Sequence, residues 1–448
     1  MREKLPFAGF FVSCLFVAWI FGFLTYDKNW FPKQTLLAAK YAQQDWREHW
    51  KTYFDIAPTK FFRKSVNDGK GVTVLKEDQV EPGYTFLTGF FNDNPGMALI
   101  ENDGNILNVW PAEFSRTWPD FSHIKNEQDI PLNDWSVHVH GAQPLPDGSV
   151  IYNMANIGLV RQGRCGQIMW KLPYPTHHSV FLNRSGDVWV SGHRTHDVTD
   201  SITAFLKTPY VDQTLLKVSV DGKILKEVSL LKVFIEAGML GELFPAGVPK
   251  PKKGKLVIGD LLHLNDIEEL SEDLAAQYPT LSAGDLVVSL RNINLIAVLD
   301  GKSYKVKWHK TGPWIRQHDP DFIGNGKIAV YDNGDDGTSS GDVLRGSTIM
   351  AVDPATDVVE IVYQGSKEAP FYSKYMGKMQ FLRNGNLLVT ESVRGRVFEL
   401  SKENEVVWEY ISRFDKKNVL LVQEGSRYPK SYFGKVDDWD CSSKAAAN

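Results

Sequence analysis

Three histidines share one register. His140, His178 and His318 each stand eight residues before the glycine of a short turn, Gly148, Gly186 and Gly326, in segments that otherwise look alike. In a fourth such segment the same count back from Gly385 lands on Gly377. A lone histidine is more often structural, but imidazole can also be nucleophile, proton carrier or metal ligand near neutral pH, so equivalent repeat positions point to a shared centre. Arg291 ends an alternating run, Gly284-Asp-Leu-Val-Val-Ser-Leu-Arg-Asn292, where an inward guanidinium is costly unless it meets an anion or a carboxylate. The bland alternative is a salt bridge between neighbouring blades. His263 lies upstream in Gly259-Asp-Leu-Leu-His-Leu-Asn-Asp-Ile267. An arginine and several histidines facing one cavity make a site for an oxyanion. Ringed histidines also hold metals, but a central arginine and the lack of carboxylates at matching positions argue against a metal there.

The elements that must position these residues are read from repeats. Six segments run strand, Asp/Asn/Gly turn, strand, often ending in Trp: 100–110, 160–170, 216–228, 296–308, 349–363 and 397–408. Between them lies a second kind of hairpin with a Ser-Gly, Asn-Gly or Asp-Gly turn, at 144–152, 181–189, 322–330 and 381–389. Two hairpins make a four-stranded blade, and six blades closed in a circle leave only short, protected edges. The fold expected is all-β, a six-bladed β-propeller over residues 71–440. Its registered histidines would ring one mouth of the central channel. A β-sandwich or solenoid explains paired hairpins repeated six times less readily.

Residues 1–27 are expected to form a transmembrane anchor, because Leu5 to Tyr26 is almost purely apolar behind Arg2 and Lys4. A cleaved signal peptide competes, but no small-residue cleavage site follows. Residues 28–70 are expected to be a linker with an amphipathic helical stalk, whose apolar residues Leu37, Tyr41, Trp46, Trp50 and Tyr53 recur at helical spacing. With 50 Lys and Arg against 54 Asp and Glu and no block of like charge, no nucleic-acid partner is indicated. Three cysteines, Cys14, Cys165 and Cys441, fit no zinc or redox motif. A Cys165–Cys441 disulfide is open to a domain outside the cytoplasm.

Gln317-His-Asp-Pro-Asp-Phe-Ile-Gly-Asn-Gly-Lys-Ile-Ala-Val-Tyr-Asp-Asn-Gly334 resembles the segment of the bacterial arylsulfotransferase family that carries its nucleophilic histidine. Leu262-His-Leu-Asn265, Ser289-Leu-Arg-Asn292 and Thr176-His-His-Ser179 resemble the other parts of that site, in an order that makes the match specific. The resemblance spans roughly residues 84–411. It implies His318 as the residue transiently sulfated, Arg291 as the clamp on sulfuryl oxygens, and His178 and His263 as donors to sulfuryl oxygen or phenolate. His177 could replace His178 after a one-residue strand shift, and the glycine register favours His178. His140 and Asn292 are substrate-facing candidates. Asp319 is not expected to orient His318, because neighbouring strand residues point to opposite faces.

The implied reaction moves a sulfuryl group from an aryl sulfate donor to a phenolic or other hydroxyl acceptor through a sulfohistidine, with no cofactor. No phosphate-cradling loop suggests a nucleotide donor. Trp135, Trp189 and Trp314 could stack on an aromatic substrate or pack between blades. The chain departs from the family pattern in its anchor and in an acidic insertion between His263 and Arg291, with Glu268, Glu269, Glu272 and Asp273, which could reshape the mouth. The domain is expected on the periplasmic side of a bacterial inner membrane. A non-catalytic anchored propeller binding a protein or glycan is the chief alternative; a quinone-dependent propeller dehydrogenase would need more blades and a stronger tryptophan repeat.

Overall fold

A computed structural model describes the backbone of residues 4–28, 33–243, 260–434, 436, 439 and 441, with side chains undescribed at 4–11, 25–28, 33–34 and 37–38. The chain divides into two compact units, Met1–Lys60 and Phe61–Asn448. The first contains two helices, Lys4–Lys28 and Lys33–Tyr53. Among the described residues no helix is long and apolar enough to cross a membrane, so the expected anchor is unsupported. Much of the apolar run behind that expectation, 5–11 and 25–26, lies outside the described side chains, as does Leu37. In the second helix Trp46 stacks on Tyr53 and both Trp46 and Trp50 are exposed.

The second unit is a six-bladed β-propeller of antiparallel blades. From the axis outward, the second blade is Val139–Pro144, Val150–Met154, Gly158–Gln162 and Ile168–Leu172. The third is Thr176–Leu182, Val188–His196, Tyr210–Val218 and Ile224–Ser229. The fourth is Leu264–Glu269, Leu286–Leu290, Leu295–Leu299 and Val306–Thr311. The fifth is His318–Gly324, Lys327–Asp332, Thr348–Val352 and Val359–Gln364.

Both chain ends close the ring. Glu424–Tyr428 is the innermost strand of the first blade, inside Tyr84–Phe91, Asn94–Glu101 and Ile106–Pro111. The sixth blade, Lys378–Phe381 to Val406–Ile411, gains Gly71–Leu75 as a fifth, outer strand. This explains why only four inner hairpins are legible in the sequence. In the first blade the inner pair joins residues over 300 apart, and in the fourth it is split by the insertion after Glu269.

Apolar packing lies between blades, one core at each junction. Leu145, Ile151, Val180 and Leu216 fill the space between the second and third, and Val287, Val298, Ile328 and Val330 that between the fourth and fifth. The tryptophan ending the outer hairpin is a latch to the next blade. Indole nitrogens of Trp170, Trp308 and Trp408 donate to Val220 O at 2.7 Å, Asp357 Oδ1 at 2.8 Å and Asn102 O at 2.7 Å, each in the following blade's outer turn. Burying an indole there removes apolar area from water while its N–H stays satisfied.

Candidate active site

The inner strands of the second to fifth blades are irregular near their histidines. Pairing slips between Val139 and Gly141, His177 and Val180, Leu264 and Asp266, and His318 and Asp321. His178, His263 and Asp319 adopt left-handed backbone, with φ of 56°, 54° and 51°. A bulge adds a residue to one strand and suspends the in-out alternation, re-aiming side chains at the axis. Four blades therefore deliver imidazoles to one mouth. His140 and His178 have ring centres 3.8 Å apart; His178 lies 4.9 Å from His263 and 6.1 Å from His318.

The bulge also bears on the expected choice between His177 and His178. Both are buried in the site, with Nδ1 atoms 2.7 Å apart, so one ring donates to the other. The choice rested on regular alternation, which the local backbone does not keep. The His177 ring is also 6.4 Å from His263.

His318 has its tautomer assigned by its surroundings. Its Nδ1 is 2.6 Å from Asn333 Oδ1. The Asn333 amide nitrogen donates to the carbonyls of Ser373 at 2.7 Å and Met376 at 2.5 Å, so Oδ1 must be the acceptor and His318 Nδ1 the protonated atom. The lone pair of His318 is then on Nε2. Burial pushes its pKa down to about 3, with the Arg291 charge acting the same way and the Asn333 hydrogen bond opposing. His318 is therefore a neutral imidazole at physiological pH. Asp319, as expected, does not orient it; its carboxylate binds Lys378 Nζ and the Met379 amide, each at 2.6 Å.

Near enough for the charge of Arg291 to act on His318 lies an arginine pair. Arg316 Nη1 donates to Asn292 Oδ1 at 2.8 Å and Arg291 Nη1 to the same oxygen at 3.4 Å. Burial, then the charge of Arg316, lowers the Arg291 pKa from its usual value. The carboxylates acting on Arg291 are Asp335 and Asp260, and each is paired elsewhere, with Lys374 and His263. Among the described residues neither guanidinium forms an ion pair. Two crowded, partly desolvated guanidiniums without carboxylates suit a tetrahedral oxyanion. Asn292, expected to face substrate, accepts from both arginines, and its amide nitrogen donates to Asp260 O at 2.6 Å.

Asp260 also binds His263 Nδ1 through its carboxylate and the His263 amide at 3.1 Å, and accepts from Gln213 Nε2 at 2.9 Å. Burial works to raise the Asp260 pKa, but the His263 hydrogen bond and charge bring it below the usual carboxylate value. The carboxylate accepts from Nδ1–H, which fixes the His263 ring and leaves Nε2 as the atom that can exchange a proton.

Asn333, Asp260 and Arg316 were not found from sequence. Asn333 and Asp260 stood inside the quoted motifs, but nothing local marks them as ligands to a histidine; Arg316 is two residues before His318. The three tryptophans are packing residues: Trp189 Nε1 donates to Glu269 Oε2 at 2.7 Å, Trp314 to Asn294 O at 2.9 Å, and Trp135 sits edge-on to Phe90. The acidic insertion is at the other end of the channel. It leaves the strand end opposite His263 and packs on the fifth blade's inner turn, where Tyr278 Oη accepts from Gly324 N at 3.0 Å and Gln277 Oε1 from Asn325 N at 2.7 Å.

Known structures resemble this fold weakly. A Bacteroides caccae protein of unknown function aligns at 13% identity and a TM-score of 0.46, covering 76% of this chain and 99% of its own. A Staphylococcus aureus virginiamycin B lyase aligns at 12% identity and 0.35, covering 65% and 84%. No curated protein matches the chain. The arylsulfotransferase (ASST) family model, however, matches residues 141–413, more than half of the sequence and including His178, His263, Arg291, Arg316, His318 and Asn333. The chain belongs to the arylsulfotransferase family.

Proposed function

We propose that the chain moves a sulfuryl group from an aryl sulfate to a phenolic or other hydroxyl acceptor through a sulfated His318, without a nucleotide donor. The observation carrying this reading is a neutral His318, its Nε2 lone pair fixed by Asn333, in one site with two unpaired guanidiniums. His318 Nε2 attacks sulfur; the N–S bond forms as the S–O bond to the aryl group breaks, and the phenolate takes the proton of His263 Nε2. The acceptor hydroxyl then attacks sulfur, its proton returns to His263, and the N–S bond breaks. Arg291 and Arg316 hold the sulfuryl oxygens as charge shifts among them, the kind of preorganised electrostatics that dominates many group transfers. His178 and His140, buried and kept neutral mainly by desolvation, can donate further hydrogen bonds without adding repulsion.

The same proposal places the propeller outside the cytoplasm, as expected for a periplasmic domain. A Cys165–Cys441 disulfide supports that side. Attachment to a bacterial inner membrane by residues 1–27 rests on their sequence alone, and resistance of the chain to alkaline extraction from membranes would test it.

The central test is intact-protein mass spectrometry after brief incubation with a chromogenic aryl sulfate, quenched at mildly alkaline pH. A sulfuryl increment on His318, absent from His318→Ala, is the expected result. No adduct and no phenol release from several aryl sulfates by the folded chain would favour a propeller that only binds a partner.

A further inference from the structure

Beneath the histidines the channel turns acidic. Asp266 from the fourth blade and Asp319 and Asp321 from the fifth bring carboxylate oxygens within 4.8 Å of one another. Glu268 and Glu424 line the same passage, and the cation among them is Lys378, 2.6 Å from Asp319. None of these carboxylates has a role in the sulfuryl transfer proposed above. Five carboxylates to one ammonium in a buried channel is an uncompensated arrangement.

An independent observation concerns two amides. Asn265, 3% exposed, donates its nitrogen to Gln317 O at 2.7 Å and leaves Oδ1 without a partner. Gln423, also 3% exposed, has neither amide atom partnered. Both line a cavity of about 30 Å³ together with Asp266, Asp319, Lys378 and Glu424, and His140, His178 and His318 border the same cavity. That is room for one small species. Carboxylates and an orphaned amide oxygen are all acceptors, so the occupant they fit carries positive charge. The clustered Asp266, Asp319 and Asp321 carboxylates and Asn265 Oδ1 offer oxygen ligands, which select a hard cation over zinc or copper.

We infer that the channel holds a divalent metal ion of the calcium or magnesium class, bound by Asp266, Asp319 and Asp321 with Asn265 Oδ1, below the histidine site. It joins the inner strands of the fourth and fifth blades at the level where their bulges leave the ladder unpaired. It lies directly next to the histidine ring, because His140, His178 and His318 border the same cavity, while its ligands are the carboxylate and amide oxygens.

The test uses the full chain, stripped with EDTA, desalted, and dialysed to equilibrium against Ca²⁺, Mg²⁺ or Mn²⁺, with bound metal measured by mass spectrometry and thermal unfolding followed alongside. The expected result is one equivalent of one of these ions, a higher unfolding temperature with it, and affinity weakened by about tenfold or more in Asp321→Asn and in Asn265→Ala. Glu272→Gln, in the insertion away from the cluster, should bind as the parent does. Failure to take up any of the three ions, as when the cavity holds only water, overturns the inference. So does binding that both Asp321→Asn and Asn265→Ala leave unchanged. Neither readout depends on phenol release, so failure of the sulfotransferase reading leaves this one standing.

Discussion

At the scale of single residues, the decisive atom is the Asn333 amide oxygen. It accepts from His318 only because its own nitrogen is held by two backbone carbonyls, so the imidazole presents one tautomer without needing a carboxylate. In Asn333→Ala the Nδ1 and Nε2 tautomers should mix. We expect kcat to fall about 10²-fold, the low end of what a positioned imidazole contributes, with KM for the donor little changed. Nitrogen chemical shifts of His318 in histidine-labelled protein check the cause directly; a single unchanged tautomer in the variant would refute it. The depressed pKa makes a second prediction. The first half-reaction needs His318 unprotonated, so its burst of phenol release should hold down to about pH 4, and an acid limb near 6.5 would contradict a folded pKa of about 3. The same shift bears on stability. A histidine whose folded pKa is depressed binds fewer protons folded than unfolded between about 3 and about 6.5, so its contribution is complete above 6.5 and is lost as pH falls through that window. Buried carboxylates such as Glu268, raised to about 8, act in the opposite sense, losing stability as pH rises from the ordinary carboxylate range toward 8.

At the scale of elements, the site depends on how closely inner strands approach at the axis. A Cβ on Gly141 would lie 1.9 Å from the His178 carbonyl oxygen, so only glycine lets the second blade's inner strand pass the third's bulge. Gly141→Ala should push His178 away from His140, cost about 1–3 kcal/mol in denaturant unfolding and lower activity more than stability. An alanine variant with parental stability and turnover would show that the contact is slack. The same level explains what was legible in the sequence. Turn glycines and alternating strands mark hairpins by local rules, so the blades and the shared register of His140, His178 and His318 could be read from spacing. Bulges depend on the partner strand, so alternation could not show that His177 and His178 would both be buried side by side. Asp260, Arg316 and Asn333 meet the histidines or Asn292 through tertiary contacts that no spacing encodes, and the insertion's direction was invisible until the fourth blade's strand order was known.

At the scale of the whole molecule, a propeller is as stable as its closure. Glu424–Tyr428 completes the first blade and Gly71–Leu75 the sixth, so each chain end is fixed by a ladder with the other end's strands. Beyond the closing strand the chain returns to the junction of the first two blades. Trp439 meets Trp110 edge-on with ring centres 6.1 Å apart, and Cys441 bonds Cys165 in the second blade's outer turn. A crosslink between residues 276 apart in sequence restricts the unfolded chain strongly, whereas in the folded state it sits on the outer rim, far along the blade from the histidines. Cys165→Ser, or reduction of the parent, should therefore lower unfolding free energy by about 2–5 kcal/mol while leaving turnover at 25 °C close to parental. Equilibrium denaturation with and without reductant, with phenol release assayed on the same samples below the transition, separates the two effects. Loss of turnover in parallel with the bond, in a chain still folded, would mean that the rim disulfide shapes the site.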